Sequence, residues 1–153
     1  MRKLIIISAF LLAIAFQTTA QRGLNVAKIF DGRYAKLPQA VATYVTGEAV
    51  EKYDIRIYRS LSMSCDPKTS AEVEQLVLKD GLKATDKETV FKGGHLRYGS
   101  FILPRQNNDN RYIFFVNKDA NSGNSRKRIT VVYMAGEASP DKIKSLINSE
   151  KSK

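Results

Sequence analysis

Tyr112-Ile113-Phe114-Phe115-Val116 and Ile129-Thr130-Val131-Val132-Tyr133-Met134 are two short runs in which neighbouring residues, rather than alternate ones, are apolar. A strand sends successive side chains to opposite faces, so a run of this kind needs cover on both sides. Both runs are too short for a buried helix and are rich in β-branched and aromatic residues. They are read as central strands of a sheet with something packed on each face.

Working outward, Asp119 to Ser125 is small or polar throughout and forms the loop between the two runs. Before them, Pro104 to Asn110 carries the chain in from a strand at Leu96 to Leu103, and Gly93-Gly94 turns back to one at Thr89 to Lys92. Residues 87–135 therefore predict a four-strand meander. Upstream, Ala40 to Thr46 has strand composition and Gly47-Glu48 marks a turn. From Tyr53 to Leu61 the pattern alternates, with Tyr53, Ile55, Ile57 and Leu61 facing one way and Asp54, Arg56, Tyr58 and Ser60 the other.

Helices supply the cover. Thr69-Ser70-Ala71-Glu72 has the form of a capping box, Val73, Leu76 and Val77 make one apolar stripe, and Gly81 stands where a left-handed glycine would stop the helix. Ser139, Pro140 and Asp141 suit the start of a last helix with Ile143, Leu146 and Ile147 as its stripe, and the polar tail from about residue 149 is expected to fray. Leu24 to Phe30, ending at Asp31-Gly32, suits one or two further helical turns. The expected fold is α+β: one domain, a mostly antiparallel sheet packed with two or three helices.

The first twenty residues have a different logic. Arg2 and Lys3 are followed by an apolar run from Leu4 to Phe16 and a small-residue exit at Thr18-Thr19-Ala20. That is the layout of a cleavable secretory leader, and the run is well short of the ~20 residues a spanning helix needs. Residues 1–20 are thus expected to be a signal peptide and residues 21–153 the working domain, exported and free of any transmembrane segment. No cysteine stands at the junction to be acylated. The only cysteine is Cys65, so the fold carries no internal disulfide despite an oxidising destination.

The whole chain carries a formal charge of +10, and losing the leader removes only two cations. Gly23-Leu24-Asn25-Val26, Phe30-Asp31-Gly32-Arg33-Tyr34, Tyr58-Arg59-Ser60-Leu61, Lys79-Asp80-Gly81, the segment Gly93 to Gly99 and Arg111-Tyr112-Ile113-Phe114 together resemble a family of small exported proteins of Bacteroides-type bacteria, catalogued as a domain of unknown function. The resemblance implies a Gram-negative periplasmic or secreted setting, and it brings no catalytic residue with it.

Chemistry offers little. One thiol, Cys65, and one imidazole, His95, make the sole nucleophile-base pair, and Asp66 beside Cys65 disfavours a thiolate. Zinc wants more Cys and His than this. Asp109 and the Asp119 to Asn124 loop lack the acidic density of a calcium site, and the glycines at 93, 94 and 99 do not form a phosphate loop. No metal or cofactor is expected.

Two surfaces carry a functional lean. Arg126-Lys127-Arg128 is a basic run at a loop-to-strand junction, with Lys142, Lys144, Lys151 and Lys153 further on. Cation-rich surfaces gather anionic partners, and export removes nucleic acid from the list, leaving anionic envelope components or an acidic protein. Arg56 and Tyr58 on the polar side of their strand form the second candidate, with Arg33 and Tyr34 nearby. The expected function is non-catalytic binding in the envelope. A subunit or accessory factor of an envelope protein complex is the alternative, and a hydrolase-like enzyme built on Cys65 and His95 the lesser one.

Overall fold

The computed structural model describes residues 23–151; the expected leader, residues 1–20, lies outside the described residues. In chain order the elements are a 3-10 turn at Asn25–Lys28, β1 Val41–Thr46, α1 Glu48–Glu51, β2 Ile55–Cys65, α2 Pro67–Gly81, β3 Asp86–Lys92, β4 His95–Gln106, β5 Asp109–Asn117, β6 Lys127–Gly136 and α3 Pro140–Lys151. All six strands join one antiparallel sheet in the order β1-β2-β6-β5-β4-β3. The class is α+β, as the sequence predicts.

The two doubly apolar runs lie on β5 and β6, at the middle of the sheet, because only there do both faces have cover. On one face Ile113, Phe115, Val131 and Tyr133 meet Leu61, Met63, Phe101 and Leu103 beneath Val73 and Val77 of α2 and Val26, Ile29 and Tyr34 of the N-terminal segment. On the other, Tyr112, Phe114 and Met134 pack with Ile55 and Val50 under Ile143 of α3, with Leu146 and Ile147 partly buried beside them. Each large side chain buried this way contributes about 1.5–3 kcal/mol.

The N-terminal segment is fixed by a buried carboxylate. Asp80, 2% exposed near the end of α2, accepts hydrogen bonds from the Asn25 and Val26 amides (2.9 and 2.8 Å) and from Asn25 Nδ2 (2.9 Å). Those amides open the 3-10 turn and have no partner inside it, so Asp80 caps the turn from another element.

Several local expectations are corrected. The cap of α2 is Asp66, whose side chain accepts from the Thr69 amide at 2.7 Å, with Pro67 in the first turn where its missing N–H costs nothing. Gly81 is the last helical residue and is not left-handed; a Cβ there would fall 2.5 Å from the Phe101 ring, so the glycine answers to packing. β4 runs through Pro104 to Gln106, with an irregular register between Leu103 and Gln106 that accommodates the proline, and the turn to β5 is only Asn107-Asn108, both at positive φ. Gly47-Glu48 leads into α1 rather than a bare turn. α3 extends to Lys151, past the expected start of the tail.

The alternation read for Tyr53 to Leu61 also breaks. A bulge between Ile55 and Ile57 changes the facing of the strand, so Ile55 shares the α3 side with Tyr58 while Leu61 lies on the α2 side. Gly136 sits across from the bulge, and a Cβ there would come within 2.4 Å of the Asp54 carbonyl. Backbones approach closely because that glycine has no side chain.

Candidate functional site

Cys65 ends β2 and His95 begins β4, with β6 and β5 between those strands. Three strand spacings set the two backbones about 14 Å apart, so the pair expected from the sequence is not assembled. Each has another partner. Cys65 is buried, its Sγ donates to the Lys127 carbonyl at 3.7 Å, and burial, followed by the charge of Asp66, pushes the thiol up to about 11. His95 Nδ1 lies 3.2 Å from Glu74 Oε2, while Glu74 Oε1 accepts from the Leu96 amide at 2.9 Å. Glu74 is 4% exposed, so this pair fastens α2 to the start of β4.

The basic run is woven into its own loop. Arg128 holds Asp119 through Nε (2.9 Å) and a second guanidinium nitrogen (3.1 Å), and its amide donates to the same carboxylate at 3.0 Å. Those bonds keep the Asp119 carboxyl well below the usual carboxylate range. Lys127 Nζ donates to the carbonyls of Asp119 (3.0 Å) and Ser122 (2.8 Å), and Arg126 donates to the carbonyl of Ser64 on β2. A neutral carbonyl orients a cation without cancelling it. Arg126 and Lys127 therefore keep their charge at this end of the sheet, and only Arg128 is neutralised by a carboxylate.

Arg56 and Tyr58 have separate surroundings. Arg56, at the bulge, forms an ion pair with Asp109 beside a cleft of about 350 Å³, while Tyr58 is half-buried against the α3 core. Arg33 lies 3.9 Å from Asp31, and Tyr34 is 4% exposed in the core under α2, so neither joins Arg56 and Tyr58 in one patch.

What sequence reading missed is an open half of the sheet face. The α3 side chains pack on the rows that contain Phe114 and Tyr112. The next row toward the Arg126 end crosses all six strands through directly paired residues: Val41, Ser62, Thr130, Val116, Tyr98 and Val90. None of the six is buried, and Val41 and Val90 are 62% and 41% exposed. Ser62 Oγ and Thr130 Oγ1 lie 3.0 Å apart at its centre.

Val41, Ser62, Thr130 and Val116 line a depression of about 340 Å³ with Ser64, Lys118 and Arg128 at its border. Lys118 is exposed, while its backbone amide donates to the Arg128 carbonyl and its carbonyl accepts from Arg97. The surface is shallow, part apolar and part hydroxyl, with the Lys118 cation on one side and Arg128 paired to Asp119 beside it. The signal for it was the girth of one helix set against the length of the strands: a helix is about 10–12 Å across, whereas β2 and β4 run 11 and 12 residues, so α3 covers only some of the rows.

Among the described residues no group of three or more His, Cys, Asp or Glu is placed to hold a metal ion, and no helix is long and apolar enough to cross a membrane. A family model described as a family of unknown function, DUF6108, matches residues 13–147. No curated protein and no solved structure matches the chain.

Proposed function

We propose that this chain, which belongs to the family of unknown function DUF6108, is an exported, non-catalytic binding domain that seats an acidic protein segment on the open half of its sheet face. The observation that carries the reading is the stretch of the row from Val41 through Ser62 and Thr130 to Val116, which lines a shallow depression with exposed Lys118 at its border. Its valines offer apolar area to a partner, its hydroxyls offer hydrogen bonds, and Lys118 at its border favours a partner of opposite sign. With Tyr98 its only aromatic ring, the row suits a protein segment better than a sugar, which favours stacked rings.

This reading puts the domain in the periplasm or outside a Gram-negative cell, as one member of an envelope assembly. The leader-like residues 1–20 support the export, and the basic balance of the chain supports an anionic partner. Catalysis loses its sole candidate pair with the separation of Cys65 from His95.

Retention of the purified protein on immobilised poly-glutamate tests the proposal. Retention is expected to weaken as salt rises, because screening shortens electrostatic reach, and to fall for Lys118→Glu. Val116→Arg separates a seat from diffuse charge: it adds a cation but obstructs the row, so it is expected to lower retention. A Val116→Arg protein that binds more tightly than the parent would sink the seat, and so would a preference for vesicles of anionic phospholipid over poly-glutamate.

A further inference from the structure

The two edges of the sheet are built differently. β3, at one edge, carries Asp86, Lys87, Glu88 and Lys92 and has a bulge between Val90 and Phe91. Charges and bulges are how exposed edges resist pairing. β1, at the other edge, is Val41-Ala42-Thr43-Tyr44-Val45-Thr46, with no charged residue, no proline and an unbroken register against β2. Val41 and Tyr44 on it are 62% and 41% exposed. The outer backbone groups of this strand have no neighbouring strand among the described residues.

We infer that β1 pairs with β1 of a second copy of this chain, antiparallel and centred on Thr43. Directly opposed residues in an antiparallel pair point to the same face. A two-fold axis perpendicular to the sheet therefore opposes only positions of equal facing, and the axis must pass through a residue. Centred on Thr43, Val41 of each copy meets Val45 of the other, Ala42 meets Tyr44, and Thr43 meets itself.

Each of those pairs fits. Val41 gains a β-branched partner for its exposed side chain, the small Ala42 makes room for the Tyr44 ring, and a threonine pair is among the favourable cross-strand combinations. With no charge on β1, a chain of formal charge +10 opposes no like charges along this strand pair. The occupant that fits is a second copy, because the strand is complementary to itself. The pairing rests on the backbone edge and not on the acidic-segment reading, with which it shares only Val41 at the end of the row.

Sedimentation velocity of the purified protein across a wide concentration range tests it. The parent is expected to sediment as a dimer, and Thr43→Lys, which sets two like charges on the axis, as a monomer of half the mass with an unchanged circular dichroism spectrum. Val90→Lys on the opposite edge is expected to remain dimeric. Thr43→Cys is expected to crosslink copies with a short bifunctional thiol reagent, whereas Ala42→Cys, offset from its own copy by two residues, crosslinks far less. A parent that stays monomeric at every concentration overturns the inference, and so does a dimer that survives Thr43→Lys or is lost with Val90→Lys.

Discussion

The Phe101 ring lies where a Cβ on Gly81 would be, 2.5 Å away, and Gly99 two residues before it on β4 leaves the other side of the same ring 2.6 Å from its own missing Cβ. One aromatic side chain, 1% exposed, thus sets the spacing between α2 and the sheet. Gly81→Ala is expected to destabilise by about 1–3 kcal/mol, the usual cost of overpacking. Phe101→Leu on its own loses buried area, but combined with Gly81→Ala it is expected to recover part of the loss, as urea midpoints will record. Strict additivity of the two changes is the result that contradicts this account.

Asp80 meets two backbone amides and one side-chain amide of the N-terminal segment. Asp80→Ala orphans these donors, two of them on the backbone, at an expected cost of about 2–4 kcal/mol. Amide exchange at Val26 is expected to speed up before the central strands respond. Asp80→Asn, which keeps one acceptor oxygen, should lie between the parent and the alanine variant. Unchanged exchange at Val26 in Asp80→Ala would show that the segment is held by its apolar residues alone.

Alkaline pH opposes the fold through its buried acids, Cys65, Tyr112 and Tyr133 foremost. Burial pushes Cys65 up to about 11 from 9.0, and Tyr112 and Tyr133 up to about 12 from 10.0. Each group binds its proton more tightly folded than unfolded. Their contribution is therefore fully present below pH 9.0 and is lost as pH rises through about 11 and about 12. Denaturant midpoints are expected to drop across that window, and the Cys65 thiol to resist alkylation at neutral pH until the chain unfolds. Prompt alkylation of the native protein is the outcome to look for against this prediction.

Asp119 works in the opposite direction, since its carboxyl is depressed by hydrogen bonds from Arg128. Its contribution is present above the ordinary 3.8 and fades as pH falls through the lower folded value. Asp119→Ala and Arg128→Ala are each expected to speed amide exchange across residues 118–126. The double variant should add little to either single one, because both remove the same interaction. The Arg128 side chain is 64% exposed, so the coupling is expected to shrink as salt rises. Independent effects of the two changes would refute the link.

Much of the architecture was legible because its signals are local. The doubly apolar runs at Tyr112 and Ile129 announced central strands, Gly93-Gly94 a tight turn, and Ser139-Pro140 the start of α3, where the Lys142 amide donates to Ser139 Oγ at 3.3 Å. The misreadings arose where two local signals competed or a distant contact decided. Asp66-Pro67 and Thr69 to Glu72 are both sound helix starts, and the earlier one prevails because Pro67 belongs in a first turn. Gly81 resembled a helix stop, yet its reason is Phe101, twenty positions later. The Ile55 bulge depends on Gly136, which no window around β2 contains.

The site was less legible for the same reason. Arg126-Lys127-Arg128 stands out in the sequence, but its partners Asp119, Ser122 and Ser64 decide what it does. The row from Val41 to Val90 takes one residue from each strand, so no stretch of sequence presents it.

The strand order has a consequence in time. β2 lies between β1 and β6, and its inner edge pairs Leu61 with Val131 and Cys65 with Lys127. A ribosome delivers those partners last, so β1 and β2 must wait as an unfinished hairpin while β3, β4, β5 and β6 zip up neighbour to neighbour. Loop closure over so long a separation is slow. Pairing of β2 with β6 is thus expected to close the sheet last.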